Sequence, residues 1–295
     1  MERFFEEISR ITKVTENEPM KKHTTFRIGG PARFFAEPAT KEELKALLSK
    51  AKEFEVAPIV IGRGSNLLVA DEGLDTLVIS LGERFSDIEV KGNEIYASAG
   101  ASLSAIAQAA LKNSLTGFEF ASGIPGSLGG AVYMNAGAYG GEMKDIVVKS
   151  YYLDENLCEQ ECTEHEFSYR KSFYTGKMLV ITGAKIVLSE GDAKEIGDAM
   201  AALAKKRREK QPIQMPSAGS VFKRPEGYFA GTLIEEAGLK GYRIGGAEVS
   251  TLHAGFIVNA GDATCKDVLG LISHIQKTVY EKNGVMLETE VKKIG

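Results

Sequence analysis

Two glycine-rich segments are the parts of this sequence best suited to hold an anionic ligand. Residues 62–66 read GRGSN, and residues 122–130 read SGIPGSLGG. Because glycine lacks a Cβ, its backbone N–H groups can approach phosphate oxygens closely, and a pyrophosphate fits this chemistry. Neither segment matches the dinucleotide-binding or P-loop fingerprint. Tight turns between strands explain each segment equally well alone, but less well when two occur in one unit.

The other candidate residues are less specific when they are considered one at a time. Arg170, in SYRKS, indicates either a carboxylate-binding side chain or a buried ion pair. Ser220, in AGSVFK, lacks the GxSxG context of a hydrolase nucleophile, and the four histidines show no triad pairing. Cys158, Cys162 and His165 have no second ligand cluster at zinc-site spacing, so we expect a surface hairpin and no metal.

Composition excludes several classes of protein. A net charge of −4 gives no reason to expect a nucleic-acid partner. The local basic run Lys205–Arg208 is either the solvated face of a helix or a site for an anionic ligand. The first residues, MERFFEEISR, lack the pattern of a signal peptide, and no apolar stretch is long enough to span a membrane. Three cysteines do not make a disulfide framework, so the sequence predicts a cytoplasmic protein with free thiols.

Helices and strands alternate irregularly along the chain. Thr40 and Glu43 stand in capping-box positions ahead of a helical apolar pattern, and short apolar runs flank the first glycine-rich segment. Further predicted elements are a hairpin of strands 88–90 and 94–96, helices at 102–113, 192–210 and 266–282, strands at 151–157, 178–188 and 254–259, and a last strand at 285–294. On that last strand, Glu288 and Glu290 are expected to share one face. This mixed order favours an α+β fold with a boundary near residue 205.

Seven ordered blocks of the sequence resemble the UDP-N-acetylenolpyruvoylglucosamine reductases, a flavoenzyme family of the vanillyl-alcohol-oxidase-type (PCMH-type) FAD-binding superfamily. They are TTFRIGGPA, IGRGSNLLV, ASGIPGSLGGAVYMNAGAYG, SYRKS, AGSVFKRP, IGGAEVSTLHAGFIVN and LETEVKKIG. The blocks cover nearly the whole chain, and its length resembles the shorter form of the family. The resemblance implies a two-part FAD-binding domain, residues 1–80 and 81–204, followed by a smaller α+β substrate-binding domain, residues 205–295.

The resemblance also implies roles for the candidate residues. Arg170, Ser220 and Glu290 match the family's catalytic positions, whereas Glu288 lies in the same block but does not match the catalytic acid. The residues implied around the FAD are Arg27, Gly62, Arg63, Gly64, Ser65, Asn66, Ser122, Gly123, Ile124, Pro125, Gly126, Ser127, Gly129, Gly130 and Asn135. The residues expected near the substrate diphosphate are Lys210, Lys223 and Arg224.

The implied reaction is reduction of UDP-N-acetylglucosamine enolpyruvate with NADPH, in peptidoglycan precursor synthesis. Arg170 would stabilise the negative charge that develops on the substrate, with Glu290 assisting, and Ser220 would deliver the proton. No histidine or cysteine occurs in either glycine-rich segment, so we expect non-covalent FAD. The alternatives are an FAD-dependent oxidase of the same superfamily and a non-catalytic flavin- or nucleotide-sugar-binding protein, and the catalytic set favours the reductase.

Overall fold

The computed structural model describes residues 1–295 and contains both helices and strands throughout. The helices are α1 (Glu2–Ser9), α2 (Lys41–Glu53), α3 (Leu103–Lys112), α4 (Leu128–Tyr133), α5 (Ala193–Lys210), α6 (Ala230–Glu236) and α7 (Cys265–Asn283). The strands are β1 (Val14–Pro19), β2 (Pro31–Ala36), β3 (Ile59–Ile61), β4 (Leu67–Val69), β5 (Leu74–Ser80), β6 (Ile88–Lys91), β7 (Glu94–Ser98), β8 (Leu115–Thr116), β9 (Gly137–Ala138), β10 (Gly141–Glu142), β11 (Val147–Leu153), β12 (Glu159–Cys162), β13 (Val180–Val187), β14 (Ser189–Glu190), β15 (Ser217–Ser220), β16 (Arg243–Ile244), β17 (Ala247–Val249), β18 (Phe256–Asn259) and β19 (Lys292–Ile294). The predicted α+β class is confirmed, and none of the helices is both long and apolar enough to cross a membrane.

Two compact units make up the chain. The first comprises residues 1–16, 34–63 and 76–205, and the second comprises residues 17–33, 64–75 and 206–295. Two N-terminal segments therefore belong to the same unit as the C-terminal residues, because Phe26, Ile28 and Leu68 are buried in the core of that unit. The three-part division into residues 1–80, 81–204 and 205–295 stays a prediction.

A five-stranded antiparallel sheet forms the centre of the first unit. Its strand order is β12-β11-β13-β7-β6, and β6 and β7 form the predicted hairpin. Apolar side chains of β13, including Ile181 and Ile186, are buried in the same core as α3 and α4. In the four-stranded sheet β1-β2-β5-β3, β3 pairs parallel to β5. This pairing fixes where the chain leaves β3 for the first glycine-rich segment.

The caps of α2 and α3 follow from the sequence. Thr40 Oγ1 accepts a hydrogen bond of 3.1 Å from the Glu43 N–H, which confirms the predicted start of α2. The Glu43 carboxylate reaches back one residue further than expected and accepts from the Ala39 N–H at 2.8 Å. Ser102 caps α3 in the same way, with its hydroxyl accepting from the Ala105 N–H. Each cap satisfies an N–H group that the first turn of a helix leaves without a partner.

The second unit is built on a four-stranded antiparallel sheet and a long helix. The strand order is β15-β18-β17-β16, and β19 pairs parallel to β4. Thr264 and Asp267 form a reciprocal capping box at the start of α7, and Gly284 ends that helix with φ +69°. The apolar face of α7 is buried with residues of α6, β17 and β18.

The prediction of one long strand at the C-terminus was wrong. Only Lys292–Ile294 form a strand, while Thr289 makes an isolated bridge to Phe222. Glu288 and Glu290 therefore do not share the face of a regular strand. The Glu290 N–H donates to the Val221 carbonyl at 2.7 Å, so local pairing with the end of β15 replaces strand geometry here.

Substituting Asp71 with alanine is expected to destabilise the start of α7. The Asp71 carboxylate accepts from the Cys265 and Lys266 N–H groups at 2.7 and 3.0 Å, and a negative charge there also favours the helix dipole. Asp71→Ala should cost about 1 kcal/mol and speed hydrogen exchange of those two amides. The neighbouring exposed Glu72→Ala is the control, and equal exchange rates in both variants would contradict the capping role.

Candidate functional site

The first glycine-rich segment leaves β3 at Gly62, which lies against Ser127 at the start of α4. A Cβ at Gly62 would overlap Ser127 Oγ. Ser127 is only 2% exposed, and its hydroxyl has no hydrogen-bond partner. A buried hydroxyl without a partner costs about 1–3 kcal/mol. The Ser127 O–H group is therefore available to an oxygen atom of a ligand.

The glycines of the second segment have separate roles. A Cβ at Gly129 would lie 2.9 Å from the Ala99 Cβ, and the Gly129 N–H donates to the Ala99 carbonyl, so close packing explains this glycine. At Gly130 a Cβ would meet nothing within 4 Å, and Gly123 and Pro125 are exposed. Packing thus accounts for one glycine of the segment and leaves an open surface around others.

Residues 64–66, the rest of the first segment, belong to the second unit. Gly64 has φ +61° and would place a Cβ on the His23 carbonyl, so only glycine fits there. Asn66 Nδ2 donates to the Glu290 carbonyl at 3.2 Å, and the Asn66 carbonyl accepts from Lys292 N–H at 2.9 Å. Arg27 is exposed with φ +55°. Asn66 therefore fixes the segment that carries Glu290.

These loops fit a phosphate-bearing cofactor. The Ser127 hydroxyl, which has no hydrogen-bond partner, supports this fit. It lies where a Cβ on residue 62 would be excluded. A phosphate oxygen is a strong acceptor, and it would remove the cost of burying that hydroxyl without a partner. Within the first unit, the exposed Arg63 side chain and the half-buried Ser122 side chain are further hydrogen-bond donors of the two segments.

Arg170 lies at the tip of a tight hairpin in the first unit. Ser168 and Lys171 exchange backbone hydrogen bonds of 3.1 and 3.2 Å, which leaves Tyr169 and Arg170 as the two turn residues. Arg170 has φ +57°, a conformation that favours glycine, and its guanidinium lies 5.0 Å from the centre of the Tyr169 ring. A non-glycine residue held in this conformation is a feature of functional sites.

A carboxylate stands near this guanidinium. A hydrogen bond from Lys144 is the largest cause that lowers the pKa of Glu142; partial burial opposes it, and Asn135 and the charge of Arg170 lower it further. Lys144 Nζ lies 2.8 Å from the Glu142 carboxylate. Glu142 is thus an anion in the electrostatic field of Arg170. Sequence reasoning missed Glu142, although the GAYGGE block placed it nine residues before the start of a predicted strand.

Ser220 and Glu290 lie on neighbouring backbone segments of the second unit. Ser220 is the exposed last residue of β15, after Gly219 with φ +74°. The next residue, Val221, accepts the Glu290 N–H through its carbonyl. Glu290 is half-buried, and backbone pairing places it beside the exposed Ser220 within this unit. Arg170, the third predicted catalytic residue, belongs to the first unit.

The predicted diphosphate-binding residues differ in their surroundings. Lys223 forms an ion pair with Glu288, the acid that sequence analysis left without a catalytic role. Arg224 lies 3.9 Å from the centre of the Phe229 ring, and its Nε donates to the Tyr228 carbonyl. Lys210 is exposed at the end of α5. The basic residues of that last turn also suit the negative end of the helix dipole.

Similarity to known proteins covers nearly the whole chain. Over 294 residues it is 52% identical to the UDP-N-acetylenolpyruvoylglucosamine reductase of Caldanaerobacter subterraneus subsp. tengcongensis, covering 98% of this chain and 96% of that protein. The crystal structure of UDP-N-acetylenolpyruvylglucosamine reductase from Thermus caldophilus superposes with a TM-score of 0.82 at 37% identity, covering 96% of this chain and 99% of that one. The chain belongs to the UDP-N-acetylenolpyruvoylglucosamine reductase family.

Family models match both parts of this reductase-family chain. Residues 32–156 match the FAD binding domain, which contains both glycine-rich segments and Asn135. Residues 211–294 match the C-terminal domain of UDP-N-acetylenolpyruvoylglucosamine reductase, which contains Ser220 and Glu290. A berberine bridge enzyme variant aligns with 64% of the chain at 14% identity and a TM-score of 0.51, which shows the fold alone. The resemblance inferred from the sequence is confirmed.

In this reductase-family member, a buried polar network lies next to the residues that follow the Arg170 hairpin. Ser150 Oγ lies 2.8 Å from His165 Nε2 and 2.6 Å from the Tyr174 hydroxyl. Burial raises the pKa of Tyr174 and that of the Cys162 thiol, and burial lowers the pKa of His165 against an opposing bond to the Thr163 backbone. The His165 carbonyl accepts from the Phe173 N–H at 2.6 Å. The spacing that first resembled metal ligands thus belongs to a network that anchors the chain after Arg170.

Substitutions at Gly62 and Ser127 distinguish the effect of packing on stability from the effect of the hydroxyl on ligand binding. Gly62→Ala alone should destabilise the protein by several kcal/mol, because the new methyl overlaps Ser127 Oγ. Ser127→Ala removes an unpartnered hydroxyl and should stabilise the FAD-free protein by about 1 kcal/mol, while weakening FAD binding. The double variant should fold better than Gly62→Ala and still bind FAD poorly.

Thermal unfolding with and without FAD, together with FAD titration by flavin fluorescence, measures both effects. The conservative variant Ser127→Thr keeps the hydroxyl and should retain more affinity for FAD than Ser127→Ala. If Ser127→Ala binds FAD as tightly as the unsubstituted protein, the hydroxyl is not a ligand of the cofactor.

Stability should decrease as the pH falls through the range where unfolded histidine titrates. His165 has a pKa below its ordinary value, so below about pH 6.5 the unfolded chain binds a proton that folded His165 does not. That difference in proton uptake lowers the free energy of unfolding. His165→Gln should show a smaller loss between about pH 7.5 and pH 5.5, measured by denaturant unfolding. An identical loss in both proteins would contradict a role for His165.

Proposed function

We propose that this chain reduces the enolpyruvyl group of UDP-N-acetylglucosamine enolpyruvate to give UDP-N-acetylmuramate. NADPH is the hydride donor, and FAD is a non-covalently bound cofactor. The reaction serves peptidoglycan precursor synthesis in the cytoplasm. The observation that carries the proposal is the 52% identity to a UDP-N-acetylenolpyruvoylglucosamine reductase over 98% of the chain. The sequence blocks that contain Arg170, Ser220 and Glu290 support it.

The cofactor role rests on the loops of the FAD-binding domain. The chemistry that bound FAD supplies is hydride transfer from NADPH to the terminal carbon of the enol ether. Gly62 leaves room beside the Ser127 hydroxyl, which donates to a phosphate oxygen. Neither segment contains histidine or cysteine, the residues that attach flavin covalently in related oxidases, which supports non-covalent binding.

Protein side chains manage the charge and the proton. When hydride adds to the terminal carbon, negative charge collects on the adjacent carbon and its carboxylate, and the Arg170 guanidinium stabilises it by a charge-assisted hydrogen bond. Glu290 helps to hold the substrate. Ser220 O–H gives its proton to the adjacent carbon, because an enolate is basic enough to accept from a hydroxyl and position matters first. The exposed position of Ser220 after Gly219 supports this role.

Basic residues of the C-terminal domain bind the diphosphate of the substrate in this proposal. Lys223 carries a positive charge held by Glu288, and Arg224 is oriented by the Phe229 ring. Lys210 adds a third cation. These residues act through affinity, so their substitution raises the Michaelis constant for the UDP-sugar more than it lowers the turnover number.

Ser220→Ala should separate the two halves of the reaction. Anaerobic NADPH should bleach the flavin of this variant at the normal rate, because Ser220 acts only on the substrate. Return of the flavin colour on adding UDP-N-acetylglucosamine enolpyruvate should be slower by about 10²- to 10⁴-fold, the usual contribution of a general acid. Stopped-flow absorbance measures both rates.

Ser217→Ala is the matched control on the same strand, since the hydrogen bonds of Ser217 to Thr25 use backbone atoms. It should reoxidise at the normal rate. Reoxidation of Ser220→Ala at that rate would remove Ser220 as the proton donor. A reduced flavin that reacts with oxygen and ignores the UDP-sugar would contradict the proposed reaction as a whole.

A further inference from the structure

Asn135 is a fully buried amide at the end of α4. It is 0% exposed, and it follows the last residues of the helix with φ +43°. Its Nδ2 donates to the Glu142 carboxylate at 3.0 Å and to the Ser168 carbonyl at 3.1 Å. Its Oδ1 accepts from the Lys144 N–H at 2.9 Å. Both donors of the side chain are therefore occupied by protein groups, which leaves none for a cofactor.

Two of these partners belong to the surroundings of Arg170. Ser168 begins the tight hairpin that places Arg170 at its tip. Glu142 is the carboxylate whose pKa is lowered by the hydrogen bonds from Lys144 and Asn135 and, last among the causes, by the charge of Arg170. The Asn135 side chain thus links the backbone of Ser168, at the start of the Arg170 hairpin, to the Glu142 carboxylate. The third hydrogen bond, from the Lys144 N–H to Asn135 Oδ1, fixes the backbone of the lysine whose side chain pairs with Glu142.

A second bond fixes the other side of the hairpin to the same helix end. Ser172 Oγ donates to the Tyr133 carbonyl at 2.8 Å. The hairpin is thereby attached to the end of α4 before and after Arg170. Because Arg170 is held at φ +57°, its turn needs such support to persist in a sparsely populated conformation.

We infer that Asn135 is a positioning residue for Arg170, which it holds through the Ser168 carbonyl at the start of the hairpin. The inference rests on the proposed function, in which Arg170 stabilises negative charge on the substrate. It gives Asn135 a role in the substrate half-reaction in place of the cofactor contact expected from its sequence block. A simpler alternative is that Asn135 only ends α4, since asparagine tolerates the left-handed conformation found there.

Asn135→Gly distinguishes these roles, because glycine keeps the backbone conformation and removes the amide. With the FAD-loaded enzyme, reduction by NADPH should keep its rate within about twofold. Reoxidation by UDP-N-acetylglucosamine enolpyruvate should slow by about 10- to 100-fold, the scale expected when a catalytic group is misplaced by about 1 Å. A role in ending the helix alone would leave both rates unchanged.

Ser114→Gly is the matched control. Ser114 follows α3 with φ +54° and lies outside the hairpin and its partners, so its substitution makes the same backbone change without affecting Arg170. It should leave both half-reactions at their normal rates. Asn135→Asp is the second variant if Asn135→Gly does not fold, because it keeps the size of the side chain but has at most one donor and so cannot bind both Ser168 and Glu142. It should slow reoxidation in the same way.

Arg170→Ala completes a double-mutant cycle. If Asn135 acts through Arg170, Asn135→Gly should slow reoxidation no further once Arg170 is absent. An equal further loss in that background would overturn the inference, and so would slower reduction by NADPH or loss of FAD in Asn135→Gly. Arg170→Ala that reoxidises normally would overturn the catalytic role of Arg170 itself. Slow reoxidation of Arg170→Ala with normal Asn135→Gly would overturn only the inference.

Discussion

Hydrogen bonds at the end of α4 constrain the candidate chemistry of the first unit. This helix has only six residues, and a helix so short gains little stability from its own backbone. Ser127 stands before its first residue, beside the glycine-rich segments, and Asn135 follows its last turn. Packing of Leu128 and Val132 into the core holds the helix in place. The second glycine-rich segment and the Arg170 hairpin are therefore attached to opposite ends of one short helix.

In the second unit, backbone hydrogen bonds position the candidate residues. The Val221 carbonyl accepts from the Glu290 N–H, and Asn66 binds the Glu290 carbonyl and the Lys292 N–H. Ser220 and Glu290 are thus placed by backbone atoms of their neighbours. The arrangement depends on residues 64–75, which lie far from the C-terminus in sequence and enter this unit through the pairing of β4 with β19.

Local sequence rules predicted the elements whose stability is local. Thr40 and Ser102 cap the predicted helices, and the strands around residues 91–93 form the predicted hairpin. The predicted last strand failed because residues 288–291 pair through single bonds with residues 221–223, just after β15, a long-range effect that alternation cannot show. The membership of residues 17–33 in the second unit was hidden for the same reason.

The candidate residues show the same limit. Family resemblance supplied Arg170, Ser220 and Glu290, but composition alone left each of them open. Only the three-dimensional structure shows that Gly129 packs on Ala99, whereas Gly62 leaves room beside the Ser127 hydroxyl. An asparagine just after a helix was a readable signal for a left-handed turn, yet its three side-chain partners are contributed by residues up to thirty-three positions away.

The charges near Arg170 show how the protein balances the charge of a neighbouring carboxylate. An unpaired Glu142 would compete with the carboxylate of the substrate for the guanidinium. Lys144 and Asn135 already bind Glu142, so much of its negative charge is balanced before Arg170 is counted. The charge of Arg170 is therefore only the last of the causes that lower the pKa of Glu142, after Lys144 and Asn135. Asn135 contributes to both features of this region. It binds the hairpin that holds Arg170 in its strained turn, and it helps Lys144 to balance the charge of the ionised Glu142.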